Sequence, residues 1–88
     1  MASYSLLLKP SVEKDLRPLP SSVVQRVLRK IEALASEPNP PKSVKLTGAE
    51  NLYRVRVGDY RIIYGVDHEA KVITVHYVRH RKEAYRGL

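Results

Sequence analysis

Apolar and basic positions alternate strictly along Leu52–Val57, where Tyr53, Val55 and Val57 interleave with Arg54 and Arg56. That period of two predicts a half-buried strand. Gly58-Asp59 follows as a two-residue hairpin turn, with glycine at the first central position, where a positive φ is required. Counting outward from the turn pairs Val57 with Tyr60, Arg56 with Arg61 and Val55 with Ile62. Two arginines then oppose each other, and Arg54 lies two residues along the same face. Directly opposed like charges cost a sheet up to about 1 kcal/mol. The arrangement makes sense if a polyanion lies on that face.

The remaining pattern places other elements around this hairpin. Tyr4–Lys9 reads as a first strand, apolar on both faces through Leu6, Leu7 and Leu8. Pro10 ends it, and Ser11 is expected to cap a short helix running to about Arg17, with Glu13 and Asp15 near its positive end. Pro18 and Pro20 break that helix. Ser22 and Gln25 form a capping-box pattern that opens a second one. Its stripe of Val24, Val27, Leu28, Ile31, Leu34 and Ala35 faces a core, with Gln25, Arg26, Arg29, Lys30 and Glu32 largely outside. Pro38, Pro40 and Pro41 stop it. A loop is expected over 42–50, and Lys71–Val78, rich in β-branched residues, reads as the last strand. The final ten residues, from Arg79, form a basic tail. Strand, two helices, then three antiparallel strands predict an α+β fold with both helices packed on one face of an antiparallel sheet. The other face is left to Arg54, Arg56 and Arg61.

Composition narrows the chemistry. The 88 residues suit one small domain over 1–88, and the absence of cysteine excludes disulfides and thiolate metal sites. Three histidines, widely spaced and without a local carboxylate pattern, predict no metal site. Neither a signal peptide nor a membrane-length apolar run is visible, so the expected location is the cytoplasm, with no membrane partner. The net charge is +7, and residues 42–88 hold ten Lys/Arg against five Asp/Glu. A cationic surface concentrated on the sheet and tail points to nucleic acid.

Three motifs carry a family resemblance: K-L-x-G at Lys45–Gly48, L-Y-R-V-R-V-G-D-Y-R-I-I-Y at Leu52–Tyr64, and V-R-H-R-K-E-A-Y at Val78–Tyr85. With the order of elements, they resemble the RelE/ParE superfamily of bacterial and archaeal toxins over nearly the whole chain. Both branches, ribosome-dependent mRNA endonucleases and gyrase inhibitors, share the first two motifs; the third leans toward the nucleases. That branch implies cleavage of mRNA in the ribosomal A site, without metal or cofactor, by attack of a 2′-hydroxyl on the adjacent phosphate. It also implies a cognate antitoxin protein, with the ribosome and mRNA as the other partners. The resemblance maps Arg61, Arg81 and Tyr85 onto catalytic positions and Arg54 and Arg56 onto RNA-binding ones.

These residue types suit the reaction. Guanidiniums stabilise charge that develops on a five-coordinate phosphate, and cations near Tyr85 favour its phenolate. Arginine is a poor proton donor, so its role is electrostatic. His80, read as part of the tail, is placed either on phosphate or as donor to the leaving group. Lys45 is either an RNA-backbone contact or an ordinary loop lysine. Tyr53, Tyr60, Tyr64 and Tyr77 are expected to pack, His76 to be structural, and His68 to be exposed. Two rival readings are a gyrase-binding toxin and a non-catalytic RNA- or ribosome-binding module. The same arginines would also suit an acidic partner helix.

Overall fold

The computed structural model describes residues 3–40, 43–46, 48 and 51–80. Its elements run β1 (Ser5–Leu8), α1 (Pro10–Leu16), α2 (Ser21–Leu34), β2 (Val44–Lys45), β3 (Leu52–Val57), β4 (Tyr60–Asp67) and β5 (Val72–His80). The strands form one sheet in the order β1-β5-β4-β3-β2. The α+β architecture agrees with expectation, and two details are new. Val44–Lys45 is a short edge strand inside the stretch read as loop, antiparallel to β3. β1 returns beside β5 in parallel, which corrects the expected antiparallel sheet to a mixed one.

Both helices feed one core. Val12 of α1 and Val27, Ile31 and Leu34 of α2 are buried against Val55, Ile62, Tyr64, Val66, Ile73, Val75 and Val78 of the sheet. Each fully buried Ile or Val contributes about 1.5–3 kcal/mol relative to exposure. Tyr64, fully buried, donates its hydroxyl hydrogen to the Pro38 carbonyl at 2.7 Å and stacks on Tyr53 at 5.8 Å. Burial raises its pKa, so it is held as the neutral phenol.

The hairpin forms in the register counted from its turn: Val57 opposes Tyr60, Arg56 opposes Arg61 and Val55 opposes Ile62. Gly58 has φ of 58°, as the turn requires. β4 and β5 pair regularly until Ile63/Tyr64, where His76 is an extra residue between Val75 and Tyr77. This β-bulge shifts the alternation, so Ile73 and Val75 face the core before it and Val78 after it.

Several local expectations are corrected. β1 is an edge strand whose Leu7 and Leu8 remain 57% and 45% exposed, because no described element covers them. α1 begins at Pro10, whose fixed φ suits the first helical turn, and Lys9 is its N-cap. Ser11 instead donates its hydroxyl to the His76 carbonyl at 2.6 Å. α2 begins at Ser21 behind Pro20, with no side-chain cap. Leu28 lies at the margin of the apolar stripe and is 38% exposed. No helix among the described residues is long and apolar enough to cross a membrane.

Candidate functional site: an arginine row across the sheet

The face opposite the helices is organised by strand pairing. Arg56 of β3 opposes Arg61 of β4, which opposes Arg79 of β5. The three arginines make one row across adjacent strands spaced about 4.8 Å apart. The next row along contains Arg54, Ile63 and Tyr77. No described helix packs on this face, so five of its six positions present either a cation or an aromatic ring, with buried Ile63 between Arg54 and Tyr77. Long arginine stems can cover such an apolar floor while their heads stay polar.

The guanidiniums at the ends of the first row are held apart. Arg56 turns toward the hairpin and donates Nε–H to the Gly58 carbonyl at 3.0 Å. Arg79 lies over the Tyr77 ring, 4.7 Å from its centroid, and pairs with the Asp15 carboxylate of α1. Arg61, half-buried, comes from the middle strand between them. One carboxylate at the rim therefore offsets part of the repulsion that three neighbouring arginines create, and the Arg61 head between them is partly buried, with Nη1 shielded from solvent.

Asp15 also explains how the outer edge of β5 is finished. β1 pairs with β5 only from Val72 to Val75. Beyond that point Ser11 and Asp15, one helical turn apart on α1, replace a strand. Ser11 bonds the His76 carbonyl, and Asp15 Oδ2 accepts Val78 N–H at 3.0 Å. The backbone near the site is thus fixed by side chains rather than by a ladder.

Sequence reasoning brought Arg54, Arg56 and Arg61 to one face, where the structure has them, but it missed Arg79. Only the bulge at His76 turns Arg79 toward Arg61, and no composition or period signals that bulge. The same shift corrects two expectations. Tyr77 belongs to the arginine face and is 36% exposed, so it is no core residue. His80 is the last residue of β5, not part of a tail; it opposes Tyr60 on the helix side, with the rings edge-to-face at 5.3 Å. His80 therefore faces away from the arginine row. Lys45, read as a loop residue, lies instead on the edge strand β2; it opposes Tyr53, which packs on the core side, so it too points away from that row. Arg81 and Tyr85 lie outside the described residues.

A second concavity, about 740 Å³, lies around Gly65, Thr74 and His76. A Cβ on Gly65 would come within 3.3 Å of His76 Nε2. Burial, with Lys9 adding to it, lowers the His76 pKa and favours the neutral ring. His68 is exposed as expected, and its Nδ1 is 2.8 Å from the Tyr4 hydroxyl. Among the described residues no three His, Asp or Glu side chains gather as a metal ion would need.

Comparison with known proteins gives the family and the fold. The family model described as "ParE toxin of type II toxin-antitoxin system, parDE" matches residues 6–85. The protein called RelE1 of Methanocaldococcus jannaschii is 30% identical over 87 residues, covering 96% of this chain and 97% of that protein. The crystal structure of the archaeal RelE–RelB complex from Pyrococcus horikoshii OT3 contains a chain 36% identical, with a TM-score of 0.82, covering 93% of this chain and 99% of its own. The RelB–RelE antitoxin–toxin complex from Methanococcus jannaschii gives 32% identity and a TM-score of 0.72, covering 90% and 94%. The chain belongs to the RelE/ParE family of toxins of type II toxin–antitoxin systems.

Proposed function

We propose that the chain is an endoribonuclease that cuts mRNA in the ribosomal A site by attack of a 2′-hydroxyl on the adjacent phosphate. The observation that carries the reading is the row Arg56–Arg61–Arg79, flanked by Arg54, on a face that no described element covers. As the 2′-oxygen bonds to phosphorus, negative charge grows on the phosphoryl oxygens; the P–O5′ bond then breaks, leaving a 2′,3′-cyclic phosphate, and the 5′-oxygen takes its proton from water. Arg61 projects from a rigid central strand, where a guanidinium can be held for that charge. Arg54 and Arg56 grip flanking phosphates, which orients the scissile bond. Tyr85 takes the 2′-hydroxyl proton as phenolate, with Arg81 nearby in sequence to favour that form. The reaction needs no cofactor or metal in this reading, and the protein works in the cytoplasm.

The partner that restrains it is a cognate antitoxin. The solved relatives from Pyrococcus horikoshii and Methanococcus jannaschii are toxin–antitoxin complexes. An amphipathic antitoxin segment with acidic residues would mask the arginine face.

Single-turnover cleavage on programmed ribosomes tests the assignment. Arg61→Ala should slow cleavage about 10²–10³-fold, the scale for losing one preorganised charge-stabilising donor. Tyr85→Phe should slow it by about 10²–10⁴-fold, the worth of general acid–base help. Unchanged rates in both folded variants would remove the catalytic roles. A second reading, binding and poisoning DNA gyrase, is favoured by the family model that matches, whose description is ParE. Inhibition of gyrase supercoiling without RNA cleavage would establish that reading instead.

A further inference from the structure

Away from the sheet face, a cleft of about 440 Å³ separates α2 from the turn between β3 and β4. Arg26, Arg29 and Lys30 line one wall, Arg56 lines the other, and Ala33 and Val57 are its apolar lining. Positions 26, 29, 30 and 33 have the i, i+3, i+4, i+7 spacing of one helical stripe, beside the apolar stripe that enters the core. The Arg26 guanidinium reaches over the turn: a Cβ on Gly58 would stand 3.2 Å from its Nη2. From the other side, Arg56 Nε–H binds the Gly58 carbonyl. Two guanidiniums therefore converge on one glycine turn. No carboxylate among the described residues pairs with Arg26, Arg29 or Lys30.

We propose that this cleft is a second phosphate-binding site, which takes the backbone of duplex RNA while the sheet face holds the single strand to be cut. The inference rests on the nuclease reading and extends it. Four cations that no described carboxylate pairs with call for an anionic ligand. The lining decides which kind. A docked protein helix needs apolar anchors at helical spacing, and Ala33 and Val57 are too few and too small to receive them. Single-stranded RNA is held by bases stacking on aromatic rings, and the cleft has no ring. A duplex keeps its bases inside and presents phosphates and sugars. Arg56 belongs both to the cleft and to the arginine row, so the two binding surfaces are continuous around the hairpin turn.

The test compares the native chain with the triple variant Arg26→Gln, Arg29→Gln, Lys30→Gln. Glutamine keeps helix propensity close to that of arginine and lysine, and circular dichroism checks the fold. Binding of a fluorescent 20-base-pair RNA duplex, and of a single-stranded oligonucleotide, is measured by anisotropy over a salt series. The variant should bind the duplex at least tenfold more weakly. Its salt slope should flatten by about two to three units, nearly one per lost phosphate contact. Affinity for the single strand should stay within about twofold. A second variant, Arg26→Lys with Arg29→Lys, keeps the charge and should retain duplex binding.

Unchanged duplex affinity and slope in the triple variant would overturn the proposal. So would equal losses for duplex and single strand, or loss of binding to an acidic peptide with duplex binding intact. Duplex binding that depends on this cleft, in a native chain that cuts no mRNA on ribosomes, would uphold the site and remove only the nuclease reading.

Discussion

Asp15 joins the helical layer to the arginine face. One carboxylate oxygen accepts Val78 N–H, and the other pairs with the Arg79 guanidinium. Replacing Asp15 by Ala leaves a half-buried donor unsatisfied and frees the arginine head. The expected cost is about 1–3 kcal/mol in urea unfolding. Asp15→Asn retains an oxygen for Val78 N–H and should cost less. Equal stability of native, Ala and Asn forms would mean that the edge is held by something else.

His76 gives a second expectation at this scale. Its folded pKa is lowered by burial and by Lys9, so the folded state prefers the neutral ring. The unfolded chain binds that proton near pH 6.5. The neutral ring's contribution to stability is thus present above about pH 6.5 and is lost as pH falls through the lower, folded value. Between pH 7.5 and 5 the native protein should lose more stability than His76→Gln. Parallel pH profiles for the two would contradict the burial argument.

At the scale of elements, the hairpin and the bulge decide which side chains reach the site. Gly58 holds φ of 58°, a conformation that costs a residue with a Cβ about 1–2 kcal/mol. Gly58→Ala should therefore lower the unfolding free energy in urea by that order, and with it the midpoint, while the Arg26 head, at the end of a flexible side chain, can give way. No change in midpoint would contradict the turn geometry. The hairpin was legible from sequence because a two-residue turn sets register, and register sets facing. That is why Arg54, Arg56 and Arg61 could be grouped without coordinates. β5 was not legible in the same way. The bulge at His76 reverses the alternation, which sends Tyr77 and Arg79 out and turns His80 in. A bulge of this kind depends on contacts with the neighbouring strand and with α1, and local spacing does not carry it. The caps misled for a related reason. Ser11 matches an N-cap by type, but its hydroxyl is drawn to the β5 edge, where a carbonyl lacks a strand partner.

At the scale of the molecule, the two faces of the sheet divide the work. The helices shield one face and build the core, and the other face gathers cations from three consecutive strands. Arg26, Arg29 and Lys30 read as an ordinary solvated stripe in the sequence. They become a cleft wall only once α2 packs beside the hairpin turn.

The most direct measurement is primer-extension mapping of mRNA in a translating extract supplied with the purified chain. The account predicts cuts within the codon occupied by the ribosomal A site, and loss of those cuts with Arg61→Ala at matched ribosome binding. An intact message with the native chain, or unchanged cutting with Arg61→Ala, would contradict it.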